Sequence, residues 1–215
     1  MTTVPALHQA FRSSDASPPA PRTRTALPTT RALDLSRATR RALELAFQRG
    51  VTPDIDALVG WEFRGINWTP PGCQPLAQLA GIKKFVKGMF RAGDGRVMGY
   101  NCPVVQNVLD GRWRTKPSDT APRRFGFYEI APVDATARDN HYLHALLLDY
   151  GKGGNAAWDA TRGLRDYLVQ VDESNPDLLL GKAYYALGPA RVPAGFFILE
   201  RFRRAPAELP VQHRT

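Results

Sequence analysis

Residues 124–203 carry five short apolar segments in succession, each rich in aromatic or β-branched side chains and each closed by turn formers. They are 125–133 (FGFYEIAPV), 141–150 (HYLHALLLDY), 164–171 (LRDYLVQV), 178–187 (LLLGKAYYAL) and 195–202 (GFFILERF). The breaks at 134–140, 151–155, 172–177 and 188–193 are rich in Asp, Asn, Gly and Pro. Apolar runs of this length, punctuated this often, read as strands joined by turns. An antiparallel meander is the expectation for this half of the chain.

The first half supplies the rest of the sheet. Trp61, Phe63 and Trp68 lie in an aromatic-rich segment, 61–68, that reads as the first strand, with TPPG at 69–72 turning the chain. Residues 76–91 fit two periods. Leu76, Leu79, Ile82 and Val86 follow helical spacing, with Lys83, Lys84 and Lys87 opposite, yet KKFVKGMF also alternates and Gly88 weakens a helix. The reading adopted is helix to Gly81, then strand. Gly93-Asp94-Gly95 marks a tight turn, and 96–109 is the returning strand, with Pro103 at a bulge or an edge. Residues 112–124, with Pro117 and Pro122, read as a loop. Seven or eight strands with short links predict a sheet that closes on itself, because closure removes exposed edges.

Three regions follow. Residues 1–30, with Asp15 their sole acid and many Ser, Thr, Pro and Arg, read as a disordered tail. Residues 31–50 read as one amphipathic helix: Leu35, Ala38, Ala42, Leu45 and Ala46 share a face, Arg37, Arg40, Arg41 and Glu44 oppose it, and Gly50 stops it. Residues 51–205 form the barrel, entered through a single helical turn in PDIDALV. The fold class is thus mostly β, an antiparallel barrel with an N-terminal amphipathic helix and a disordered N-terminal tail.

The net charge of +9 favours anionic partners in general. Several arginines fall in the tail, and a basic helix face is ordinarily solvated, so no specific nucleic-acid role is assigned. No run reaches the roughly 18 apolar residues of a transmembrane helix. Cys73 and Cys102 form no CxxC and have no histidine at ligand spacing, which fits a reduced, cytoplasmic setting; a disulfide between them stays open.

Leu58-Val59-Gly60 followed by Trp61, Phe63 and Gly65 resembles the opening motif of the bacterial GXWXG-type family of small lipocalin-like barrels. Four later segments are similar to that family: Ala145 to Tyr150, Leu164-Arg165-Asp166-Tyr167 leading to Val171-Asp172, Leu179-Leu180-Gly181-Lys182, and Phe196-Phe197-Ile198-Leu199-Glu200-Arg201. The similarity is discontinuous over 58–203. Here the opening reads GWEFRG, one residue longer than GXWXG, and 154–162 is an extra connection. The resemblance implies a calycin-like barrel with an apolar cavity and no established cofactor.

No catalytic or metal site is assigned from the sequence, and no cofactor. His141 and His144 are three apart, and on a strand they point to opposite faces, which argues against a shared metal. His144 falls with Tyr142, Leu146, Leu148 and Tyr150; if that set faces the cavity, it is a polar handle among apolar walls. Asp166, Tyr167 and Lys182 could do acid–base work if they converge, and form an outer charge pair if they do not. GKGGN at 151–155 lacks the Ser or Thr and the helix of a phosphate-binding loop. The aromatic stock exceeds what turns and surface need, and Gly181 and Ala183 leave room beside Tyr185.

Tyr142, His144, Tyr167, Lys182, Tyr185 and Phe197 are therefore the candidate ligand contacts. The leading function is non-enzymatic binding of a small apolar or amphiphilic molecule. The alternatives are an isomerase- or hydrolase-type enzyme using His144 or Asp166 in the same cavity, and an interaction protein with a filled barrel. A cavity below about 300 Å³ disfavours small-molecule binding. Convergence of a histidine or carboxylate with a second polar group separates enzyme from passive binder.

Overall fold

The computed structural model describes residues 27–70 and 82–205. The expected tail apart from 27–30, the helix expected before Gly81, Cys73 and the C-terminal prolines lie outside the described residues. So does the question of a Cys73–Cys102 disulfide.

Eight strands close into an antiparallel barrel in sequence order. They are β1 (Trp61–Asn67), β2 (Lys84–Arg91), β3 (Val97–Pro103), β4 (Phe125–Pro132), β5 (Leu146–Asp149), β6 (Leu164–Gln170), β7 (Leu178–Leu187) and β8 (Ala190–Arg204). β8 pairs back onto β1 through residues 197–204, which closes the sheet. Residues 84–91 resolve the ambiguity in the sequence as strand.

The single helix expected over 31–50 is instead two, α1 (Thr30–Arg37) and α2 (Arg40–Arg49). The chain breaks at Ala38, which is extended, because Thr39 caps the second helix by accepting from the Ala42 amide at 3.2 Å. Thr29 caps the first, accepting from the Ala32 amide. Trp68 Nε1 donates to the Ala38 carbonyl at 2.9 Å and so pins the break to the barrel. A short third helix, α3 (Ile55–Leu58), lies at one end of the barrel. There Arg201 donates to the Ala57 carbonyl at 2.6 Å, pairs with Asp177 and stacks on Trp61, and Leu58 joins the interior core.

Three apolar layers result. Inside the barrel, Phe63, Met89, Tyr128, Leu146, Leu148, Leu179 and Leu199 pack with Leu58. Outside β6 to β8, α1 and α2 bury Ala32, Leu43 and Phe47 against Tyr167, Val169, Leu180 and Ile198. Outside β1 to β3, residues 104–124 fold back over Ile66, Val86 and Tyr100, with Trp113 donating to the Phe85 carbonyl at 3.0 Å. Much of the barrel is therefore buried on both faces. Among the described residues no helix is long and apolar enough to cross a membrane.

Two expected strands are shorter by several residues than the sequence suggested. β3 stops at Pro103, where the chain leaves the ladder for a single bridge from Val104 to Thr115. β5 begins only at Leu146, because residues 142–145 turn outward toward α2. The GKGGN segment is docked rather than free. Asn155 accepts from the Phe127 amide at 2.9 Å and donates to the Phe127 and Tyr150 carbonyls at 2.7 and 2.9 Å. Asn155→Ala is expected to cost about 1–3 kcal/mol, read from urea unfolding, since it strands these backbone groups. An unchanged midpoint would show that the loop is held by other contacts.

Lys83 and Lys84 are buried at the start of β2. Lys83 donates to the Asn67 carbonyl at 2.9 Å and to Thr69 Oγ1 at 2.8 Å. Lys84 Nζ lies 3.6 Å from the Trp113 ring centroid, donating to Asn107 and to the Val108 carbonyl. Burial pushes both amines down to about 8. For Lys83 the unfolded chain then holds more protons than the folded one between pH of about 8 and 10.5, so stability rises with pH in that window. The wild type is accordingly expected to gain stability relative to Lys83→Met across it, measured as paired urea midpoints; a pH-independent difference would contradict the depressed amine.

Candidate functional site

The barrel is not filled along its whole length. Beyond the packed interior lies a cavity of about 580 Å³. Its walls include Phe85, Phe125, Leu164, Ala183 and Phe197, and its mouth is flanked by Pro70, Ile82 and Ala194. Two glycines set where the rings stand. A side chain on Gly65 would sit 2.2 Å from the Phe85 ring, and one on Gly181 would sit 2.0 Å from the Phe197 ring. The space left at Gly181 is thus taken by Phe197, and Ala183 opens onto the cavity. Phe125 faces inward because the β3–β4 register shifts between Gly99 and Asn101, with Gly126 at φ +53° taking up the irregularity.

At the deep end of this apolar space four polar side chains converge from four strands or strand ends. Lys87 on β2 donates to Asn101 Oδ1 on β3 at 3.0 Å, to the Tyr150 hydroxyl, and to Asp166 Oδ2 on β6 at 3.3 Å. Tyr150 in turn donates to Asp166 Oδ2 at 3.1 Å. Asn101 is oriented by donating to the Gly126 carbonyl at 2.8 Å. The hydrogen bonds that Asp166 makes with described residues all fall on Oδ2, which leaves Oδ1 for a ligand.

The ammonium also sits among aromatic faces, 4.5 Å from the Tyr128 ring centroid, 5.0 Å from Tyr150, 5.3 Å from Phe197 and 5.8 Å from Phe85. Both members of the ion pair are enclosed, with side-chain exposures of 3% and 5%. Burial lowers the Lys87 amine from its ordinary range, against the opposing pull of Asp166. Burial likewise raises the Asp166 carboxyl, opposed by Lys87 and Tyr150. The Tyr150 phenol is pushed well above its usual range by burial and by the nearby carboxylate. The environment therefore drives acid and base toward their neutral forms, which brings a proton shared between them closer to balance.

Of the residues singled out in the sequence, Phe197 lines the cavity. Tyr142, His144, Tyr167 and Lys182 lie on the outer face instead, against α2. Lys182 pairs with Glu44 at 2.8 Å and donates to the Tyr142 hydroxyl at 2.7 Å, Tyr142 meets the Tyr184 hydroxyl at 2.6 Å, and His144 Nε2 lies 3.2 Å from the Phe47 carbonyl. Tyr142 and His144 precede β5, so strand parity does not place them inside, while Tyr167 and Lys182 are cross-strand partners on the helix-covered face. Tyr185 donates to the Ala160 carbonyl at 2.6 Å, outside the cavity lining. Asp166 does not meet Tyr167 and Lys182; it meets Lys87 and Tyr150, to which Asn101 is bonded in turn, a grouping that sequence reasoning missed.

The missed signal is one of parity. Once 84–91 is a strand, Lys87 shares a face with Phe85 and Met89, Asp166 with Leu164 and Leu168, and Tyr150 follows Leu146 and Leu148. A base and an acid each at an apolar parity can be accommodated by pairing. Cys102 is buried on the outer side of β3 with its thiol pushed up to about 12, which makes it an unreactive core residue. Among the described residues no cluster of His, Cys, Asp and Glu is arranged to hold a metal. No family model matches the chain, and no curated protein or solved structure matches it.

Proposed function

We propose that the protein binds a small amphiphilic molecule, with the apolar body among Phe85, Phe125, Leu164 and Phe197 and the polar end on the Lys87–Asp166 pair. The observation that carries this reading is the buried ion pair at the deep end of a cavity of about 580 Å³. A barrel that needed only stability would do as well or better with apolar residues there. The cavity volume is in the range of small-molecule sites, and its few polar groups converge at one end, as pockets that orient a ligand require. The convergence of carboxylate, amine and phenol also favours a second reading, in which the cavity performs acid–base chemistry on what it holds. His144 takes no part in it, being outside the barrel. We further propose kinship with the GXWXG-type barrels on the motif residues given above.

The test is a titration with Nile red, an apolar dye whose emission reports its surroundings. Emission is expected to rise with one-to-one stoichiometry and to fall when decanol is added in competition. A flat titration with folded protein would refute a binding cavity.

A further inference from the structure

We infer that Lys87 captures carbonyl compounds covalently, holding an apolar aldehyde or ketone as an imine at the deep end of the cavity. The inference rests on the binding role proposed for the same cavity. Its geometric basis is a lysine that lines the cavity, enclosed by aromatic rings, with a carboxylate 3.3 Å from its nitrogen and a phenol bonded to both. The other buried or half-buried lysines are committed elsewhere. Lys83 and Lys84 donate to backbone carbonyls and neighbouring polar side chains, and Lys182 is held by Glu44 outside the barrel.

Charge favours a carbonyl over a carboxylate ligand. Lys87 and Asp166 already balance each other. A second carboxylate would bring an uncompensated negative charge into an apolar space, which is costly, whereas a carbonyl brings none. The chemistry balances with the groups present. Asp166 takes a proton from the Lys87 ammonium, which frees the nitrogen lone pair. Burial of both groups favours that transfer. The nitrogen attacks the carbonyl carbon, a C–N bond forms, and the carbonyl oxygen receives the proton that the nitrogen then sheds, passed through the Tyr150 hydroxyl. The Asp166 carboxyl returns its proton to the new hydroxyl, the C–O bond breaks, and water leaves as the nitrogen lone pair forms the C=N bond. One ammonium and one carbonyl give one iminium and one water, with no oxidant or reductant. The iminium is left facing the Asp166 carboxylate, the same pairing that the ammonium had. A desolvated lysine is the usual form of an amine nucleophile.

The experiment uses decanal as the probe, with sodium cyanoborohydride to reduce any imine to a stable amine. Intact mass is expected to show one decyl group added per chain, and peptide mapping to place it on Lys87 ahead of Lys83, Lys84, Lys116, Lys152 and Lys182. Asp166→Asn is expected to slow labelling at Lys87 by about a hundredfold, the size of a general acid–base contribution. The double variant Lys87→Met/Asp166→Leu, which removes both charges together, is expected to lose that label while unfolding in urea near the wild-type midpoint. If decanal displaces Nile red from the wild type but Lys87 stays unlabelled, or labels no faster than exposed lysines, the inference is overturned and the binding role stands. If decanal and decanol both fail to displace the dye, the binding role falls and the inference with it.

Discussion

Changing Lys87 to methionine is expected to cost about 3–5 kcal/mol of folding stability, and changing Asp166 to leucine about as much, whereas making both changes together returns the protein to within about 1 kcal/mol of the wild type or above it. Each single change leaves one charge enclosed among Tyr128, Tyr150, Phe85 and Phe197 with its partner gone. The double change removes both desolvation penalties and substitutes apolar contacts on a wall that is otherwise apolar. Urea unfolding of the four proteins forms a double-mutant cycle, and its coupling free energy measures the pair directly. Additive losses in the double variant would mean that the two groups do not act as a pair. A double variant at wild-type stability or above would also show that the pair is not retained for the fold, which is the premise of the binding role.

The second large effect concerns the cavity. Ala183→Phe is expected to weaken Nile red binding by about a hundredfold, or roughly 2.7 kcal/mol, while moving folding stability by less than about 1.5 kcal/mol. Ala183 lies on β7 opposite Asp166 and Gly195 and lines the cavity, so a phenylalanine there enters empty space rather than packed core. Leu187→Ser, at the exposed end of the same strand, is the control and is expected to leave binding unchanged. Equal loss in both variants would place the dye somewhere other than the barrel. Retained binding in Ala183→Phe would do the same.

The architecture was legible because turn chemistry and apolar runs agree along most of the chain. The segment 178–187 is β7 as it stands, 164–171 exceeds β6 by one residue, and the Gly93-Asp94-Gly95 turn joins β2 to β3. The site was legible only in part, and the reason is double-sided burial. In β6 the outward Tyr167 and Val169 are as enclosed as the inward Asp166 and Leu168, since α2 and its neighbours cover the outer face. Alternation then shows two faces without showing which is inside, as for any strand packed on both sides. That is why Tyr167 and Lys182 read as cavity residues although they belong to the helix-covered layer, whereas Tyr142 and His144 were misplaced because the chain turns outward before β5 begins at Leu146. Lys87 was hidden for another reason: KKFVKGMF fits helix and strand, and its lysines look like a solvated helix face until the strand is fixed. The break between α1 and α2 escaped because Thr39 reads as one more polar residue in a helix rather than as the cap of a second one.

The most direct test of the central claim is a crystal structure of the protein soaked with a terminally brominated decanol. Anomalous density for bromine is expected between Phe85, Phe125 and Phe197, toward the mouth at Ile82 and Ala194, with the hydroxyl within hydrogen-bond distance of Lys87 or Asp166 Oδ1. Bromine found only outside the barrel, with the space above Lys87 unchanged, would contradict it.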